Sequence, residues 1–420
     1  MKRFRLLLFL SITMMGFVHA QIPQASCGAD LFFEQQCNQH PEYKASAMAM
    51  RENLQQYLQA KENKAQWRNE EVYTIPVVVH IVWWEEADNV SDEEVYGQMA
   101  VINELFRGKN LNAAFIPAEF RAVFADIGLE FCLASTDPEG NPSNGITRTQ
   151  TDVKDIGNFR LHTNNRGEFF LFQSQLGGAD AWDTDRYLNI WVASAGGEIQ
   201  GYGTTPNEFR PWEDGVIVDP LYFGNNCELP FNLGRVTVHE IGHYFGLLHP
   251  WGQRTGCETD DDLVADTPLQ DRPYQGCPSY PAISCGSSDM FMNYMDYTDD
   301  ACMSMFTIGQ KERMRAMLLT SRSGLLESSL CSQSPINPTF EFTVYPNPAS
   351  DCVHIRYNSE ASEVVQVRLF DAAGRLLYQE SHLPNTISAI STIEFPTGIY
   401  LLQVIQGDEQ MTEKLLIETP

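Results

Sequence analysis

Residues 239–249 read HEIGHYFGLLH, and no other segment restricts the fold as much. On a helix, His239 and His243 lie four apart and project from one face, where both imidazoles can ligate one metal ion. Glu240 rises beside them toward the metal's open position, placed to take a proton from water. Gly246 can adopt φ > 0, so the helix stops there and the chain turns back to deliver His249 as a third ligand. Neutral imidazoles leave one zinc ion its full double charge, which suits it to acidifying water and polarising a carbonyl. The chain has nine histidines and three fall in this segment. Five agreeing positions outweigh two incidental histidines on a helix.

Alternating strands and helices around this segment predict a layered α/β unit. The run Tyr73–Trp84 is β-branched and apolar, as a buried strand should be. A capping box, Ser91 to Glu94, opens a helix with the stripe Val95, Met99, Ile102 and Phe106. Further strands are expected at Ile127–Ala134, Tyr187–Ser194 and Gly215–Asp219, and a helix capped by Thr307 is expected to run to Leu326. Pro41–Trp67 reads as one helix whose stripe, Ala47, Met50, Leu54 and Leu58, must dock on something else.

The N-terminus sets the compartment. Lys2, Arg3 and Arg5 precede an apolar run, Leu6–Val18, and Val18-His19-Ala20 offers a cleavage site. Residues 1–20 therefore read as a secretory signal peptide, and no later segment has the ~20 apolar residues of a transmembrane helix. Export makes the ten cysteines candidates for disulfides. Lys+Arg 28 against Asp+Glu 55 gives −27, which sets aside nucleic acid as a partner.

The helix segment is the metzincin signature. Beyond it, NYMDYTDDACMSMFTIGQKERM (293–314) resembles the Met-turn region of the pappalysin (cytophagalysin) family. GLEFCLASTDPEGNPSNGITRT (128–149) and DGVIVD (214–219) are also similar to that family, so the resemblance covers roughly residues 72–320. It implies a metzincin-type α/β (α+β) catalytic domain, with a twisted sheet, an active-site helix and a disulfide-stapled lower subdomain. It further implies Met295 as an apolar floor beneath the zinc and Tyr297 as a group stabilising the reacting carbonyl's developing charge. The disulfides implied are Cys257–Cys285 and Cys277–Cys302. Cys132 can pair with Cys227 or stay a buried thiol.

The acidic run 258–271 is similar to the family's calcium-carrying D-x-V-x-D-T-P segment. Calcium takes hard oxygen ligands, which makes Asp262, Asp266, Thr267 and Asp271 the candidates. Cys27-Gly28 resembles the family's cysteine switch, in which a thiolate occupies the zinc's open position in a zymogen. Ser26 stands where the family has a basic residue, and a plain Cys27–Cys37 disulfide is the alternative. Some relatives prefer basic residues beside the scissile bond through an acidic group near the fourth staple cysteine. Here Asp299-Asp300-Ala301 precedes Cys302, and arginine specificity is not expected.

After a Ser/Pro/Asn-rich linker at 328–339, seven short strands, one of them at Thr392–Phe395, predict an all-β sandwich over 340–420. VYPNPASD (344–351), LFDAAGRLLY (369–378) and PTGIYLLQV (396–404), with Lys414, resemble the type IX secretion sorting domain. A carbohydrate-binding module is the alternative, but the stretch has no Trp. The organisation expected is a signal peptide (1–20), a helical pro-segment (21–70), a catalytic domain (71–327), the linker and the sorting domain. The function expected is a zinc endopeptidase exported through the periplasm to the cell surface or beyond, acting on proteins or peptides. Type IX machinery would be its export partner. A catalytically silent binding or adhesin protein on the same fold is the competing reading.

Overall fold

The computed structural model describes residues 26–60, 71–197, 199–206, 209–224, 230–252, 255–257, 261–326, 328–331, 341–345, 347–350, 352–358, 364–382 and 387–418. The expected signal peptide, the helix extension toward Trp67, Cys227, the linker from 332 to 339 and Pro346 lie outside the described residues.

In chain order the first part forms β1 (Ser26–Cys27), α1 (Ala29–Gln39), α2 (Pro41–Gln59), β2 (Tyr73–Trp83), α3 (Asp92–Phe106), β3 (Leu129–Leu133), β4 (Ile146–Gln150), β5 (Leu188–Ala193), β6 (Ile199–Gly203), β7 (Val216–Val218) and α4 (Arg235–Tyr244). A small hairpin, β8 (Ile283–Ser284) with β9 (Ser287–Ser288), precedes α5 (Ile308–Thr320). One sheet has the order β1-β6-β7-β5-β2-β3, with β4 also on β2. Strands β2, β3, β4, β5 and β7 are parallel, and β6 runs antiparallel to β7.

Strand β2 is central because its side chains are buried on both faces. Ile75, Val77, Val79 and Ile81 join Val95 and Ile102 of α3, Val238 and Ile241 of α4, and Met314 and Met317 of α5 in the main core. The opposite face gathers Val82, Trp191, Ile217, Tyr202, Phe159 and Phe169. The active-site helix is thus packed against β6 and β7 of the sheet and against α3. Helix α3 has its capping box, Glu94 N–H donating to Ser91 Oγ at 3.2 Å and Ser91 N–H to Glu94 Oε2 at 2.6 Å. Helix α5 ends at Thr320 rather than Leu326, and a 3₁₀ turn follows at Ser323–Leu326. Gly324 stands in that turn against the Asp185 carbonyl, where a Cβ would lie 2.2 Å from the oxygen.

The last part forms β10 (Glu341–Tyr345), β11 (Cys352–Asn358), β12 (Val365–Asp371), β13 (Leu376–His382), β14 (Ile387–Ser391), β15 (Gly398–Gln406) and β16 (Glu409–Ile417). Two antiparallel sheets, β10-β11-β14 and β13-β12-β15-β16, share the core of Val353, Ile355, Val367, Leu369, Leu402, Val404 and Leu415. The strand expected at Thr392–Phe395 is instead a turn, closed by Phe395 N–H to the Thr392 carbonyl at 2.9 Å. The real strand, β14, lies just before it.

Candidate active site

Helix α4 ends in a Schellman motif. Leu247 N–H donates to the Gly242 carbonyl at 2.9 Å, and Gly246 N–H to the His243 carbonyl at 2.8 Å. Gly246 carries φ 85°, and a Cβ there would lie 2.6 Å from Met317 Cε, so only glycine fits. The chain then returns His249 to the helix. The Nε2 atoms of His239, His243 and His249 lie 3.1, 3.1 and 3.3 Å from one another. Each Nδ1 donates elsewhere: to the Tyr294 carbonyl at 2.7 Å, to the Leu247 carbonyl at 3.0 Å, and to Asp30 Oδ2 at 3.0 Å, respectively.

Those outer bonds direct three Nε2 lone pairs at one point. Burial, joined by the neighbouring imidazoles, holds His239 well below its usual range and His243 at about 3, so both stay neutral and free to ligate. Met295 is fully buried, and a Cβ on Gly242 would meet its Sδ at 2.5 Å. The methionine therefore lies against α4 between the first two histidines. Tyr297 stands 5.0 Å, ring to ring, from His249 and 4.9 Å from Trp251.

Glu240 is 1% exposed. Burial pushes its carboxyl up to about 8. The Cys27 thiol donates to Glu240 Oε2 at 3.5 Å, and burial, then the Glu240 carboxylate, push that thiol up as well. Two buried acids beside three converging imidazole nitrogens form a donor set that a divalent cation would satisfy and ionise. Cys27 Sγ and the three histidine nitrogens lie within 4.8 Å of one another, the one such cluster of His, Cys, Asp or Glu among the described residues.

Sequence reasoning missed how Cys27 arrives there. Strand β1 pairs parallel to β6, and Gly28 N–H donates to the Gly201 carbonyl at 2.8 Å. Phe32 of α1 is seated among Tyr202 (5.0 Å), Phe169 (5.1 Å) and Phe159 (5.4 Å). Leu54 of α2 is 1% exposed and packs in the main core, supplying the surface the amphipathic stripe needed. Cys27 and Cys37 are both free thiols, which overturns the Cys27–Cys37 alternative. Most of α1 separates them, ~12 Å at 1.5 Å per residue, too far for a disulfide.

Helix α1 also lies on a buried acid. Gln36 Nε2 donates to Glu213 Oε2 at 3.5 Å, and Arg210 Nη1 to Glu213 Oε1 at 2.8 Å. Burial pushes the Glu213 carboxyl from 4.5 up to about 7. Because its folded pKa exceeds the unfolded one, the folded state holds the extra proton, and stability falls as pH rises between those values. Raising pH from 5 to 7.5 should therefore lower the Tm of the parent more than that of Glu213→Gln. Parallel melting curves would show that Glu213 titrates alike in both states.

The acidic loop does not bring its four expected calcium ligands together. Thr267 Oγ1 donates to Asp262 Oδ2 at 2.6 Å. Asp266 instead accepts from Thr307 Oγ1 at 2.7 Å and Gly309 N–H at 2.8 Å, capping α5. Asp271 N–H donates to Ser284 Oγ. Cys257–Cys285 and Cys277–Cys302 interleave below the site, with Cα–Cα distances of 5.2 and 5.6 Å. Cys132 pairs with Cys331 rather than with Cys227 or nothing. After α5 the chain returns to the sheet, where Ser135 N–H donates to the Leu330 carbonyl at 2.8 Å. Asp300 is fully buried and accepts through Oδ2 from Leu233 and Arg235 N–H at the start of α4.

A donor set of three imidazole nitrogens, with a buried carboxyl one position along the same helix, is that of the metal-dependent peptidases. Residues 173–319 match the peptidase family described as pregnancy-associated plasma protein-A, and residues 343–418 match the secretion system C-terminal sorting domain. An extracellular metalloprotease of Pyricularia oryzae is 46% identical over 263 residues, 60% of this chain and 77% of that protein. A promirolysin variant of Tannerella forsythia is 38% identical, with TM-score 0.61, over 72% of this chain and 95% of that one. Mature mirolysin of Tannerella forsythia, in complex with a cleaved peptide, is 42% identical with TM-score 0.55, over 61% of this chain and 94% of that one. This chain belongs to the pappalysin family of metallopeptidases and carries a type IX sorting domain. It spans about half the length, 44% to 51%, of other curated extracellular metalloproteases it matches. The sorting domain and these relatives indicate secretion, and among the described residues no helix is long and apolar enough to cross a membrane.

Proposed function

We propose that the chain is exported as a latent zinc endopeptidase, with a pro-segment at 21–70, a catalytic domain at 71–327 and a sorting domain at 340–420 behind the 328–339 linker. One observation carries the reading: three Nε2 atoms converge at 3.1–3.3 Å while each Nδ1 is tied back. His239, His243 and His249 would hold the zinc, which when bound acidifies water and polarises a carbonyl. Glu240 takes the proton of the attacking water and passes it to the leaving amine. Tyr297 lies beside the histidines, where its hydroxyl can donate to the carbonyl oxygen as charge gathers there. Cys27 occupies the Glu240 side of the cluster and keeps substrate out until the pro-segment leaves. Met295 gives the site an apolar floor, and the Cys257–Cys285 and Cys277–Cys302 staples hold the loops below it.

The substrates in this reading are proteins and peptides. A pocket lined by Phe231, Val236, Met303 and Asp296 opens beside Glu240, and Asp296 is already held by Gln270 and two backbone N–H groups. That favours apolar over basic side chains. Calcium on the acidic loop belongs to the same proposal, reduced to Asp262 and its neighbour Thr267, where burial pushes the Asp262 carboxyl up to about 7. Asp266 is taken up by the start of α5, and Asp271 bonds elsewhere.

The test is metal removal. Protein freed of its pro-segment should contain one zinc and cleave casein. It should lose cleavage after stripping with phenanthroline and regain it with zinc. Cleavage that persists in stripped protein would end the zinc reading. An unchanged Tm with a calcium-selective chelator would end the calcium one.

A further inference from the structure

The three histidines differ in who holds their outer nitrogen. His239 and His243 donate to carbonyls of the catalytic domain, Tyr294 and Leu247. His249 donates to Asp30 Oδ2 at 3.0 Å, and Asp30 stands three residues past Cys27 in the first turn of α1. Among the described residues no group of the catalytic domain bonds that nitrogen. Trp251 stacks on the His249 ring at 4.7 Å and 4°, which fixes the ring's plane without choosing which nitrogen bears the proton. The seat of Asp30 is firm on both sides. Gly28 is bonded to Gly201 before it, and Phe32 is 2% exposed in its aromatic nest after it.

We propose that Asp30 is a positioning residue for His249, so that the pro-segment completes the metal site from outside and zinc is held more tightly before processing than after it. This rests on the zinc-peptidase reading above. A carboxylate on the far nitrogen of a ligating imidazole fixes its tautomer and rotation and raises its basicity, and losing such a partner costs ~10–100-fold in metal affinity. The pro-segment then grips one ion in two ways: directly through the Cys27 thiolate, and indirectly through the back of His249. Processing removes both. The mature site is left with two of its three histidines supported by its own backbone. Asp30 keeps 39% of its side chain exposed, so substituting it opens no cavity in the core.

The experiment follows zinc release from the full latent chain to a chromogenic chelator, in a Glu240→Ala background that prevents self-processing. Asp30→Asn should release zinc ~10–100-fold faster than its parent, and Asp30→Glu should recover part of the loss. The cobalt-substituted protein should show a shifted visible spectrum in Asp30→Asn, which a purely structural role would leave alone. Adding Asp30→Asn to Cys27→Ala must accelerate release again. If it adds nothing there, Asp30 acts only by seating Cys27 and the inference is overturned. Equal release, within twofold, by parent and Asp30→Asn with one zinc bound overturns it as well. A parent that binds no zinc overturns the underlying reading, a distinct result.

Discussion

Glu240→Ala, freed of residues 21–70, should retain one zinc per chain and lose casein cleavage by roughly 10²–10⁴-fold, the contribution of a positioned general acid–base group. The argument is geometric. The glutamate adjoins His239 in sequence but belongs to a different function, because all three Nε2 contacts are made by histidines. Removing the carboxylate therefore leaves the metal's protein ligands intact. Glu240 is 1% exposed with its carboxyl near 8, so alanine removes a buried acid without stranding a charged partner, and the variant should fold. Metal analysis and cleavage must be read on the same sample. Retained zinc with lost cleavage supports the role given to Glu240, whereas equal cleavage by both proteins refutes it.

The second large effect concerns latency. Cys27→Ala removes the thiol that bonds Glu240 and lies within 4.8 Å of all three histidine nitrogens. A direct ligand should matter more than the ~10–100-fold that outer partners carry, so self-processing should rise by at least that much. The variant should appear cleaved near residue 70 without an added proteinase, while the parent stays full length. Phe32, Asp30 and Leu54 still hold the segment down, so activity should emerge over time rather than at once. A variant as inert and intact as its parent would refute the switch. The free state of Cys37 fits this outcome, since pairing all ten cysteines would have required Cys27 to leave the site.

What was legible in the sequence was local. His239, Glu240, His243, Gly246 and His249 sit at offsets that a helix and one turn translate directly into geometry. Alternation likewise exposed the two-sheet core of the C-terminal domain. The rest depends on contacts far apart in the chain. Strand β6, IQGYG, is short and holds two glycines, so no strand signal marked it, yet it receives Cys27 and seats Phe32 through Tyr202. Asp30 gave no sign of its role, because its partner lies at separation 219. The acidic loop misled in the opposite way: composition suggested ion ligands, while Asp266 turned to the unsatisfied N–H groups at the start of α5. Cys331 lay beyond any expected pairing because the chain's return after α5 was invisible.

That return has a mechanical consequence. The Cys132–Cys331 bond closes a loop of separation 199 that contains the whole histidine cluster and its floor. Tension applied to the sorting domain therefore has a covalent route into the sheet at strand β3, the edge opposite β1. That path runs beside the backbone route through α5. A pull on the tail would thus be shared with the edge of the sheet, and the segment bearing the histidines would not have to bear it alone.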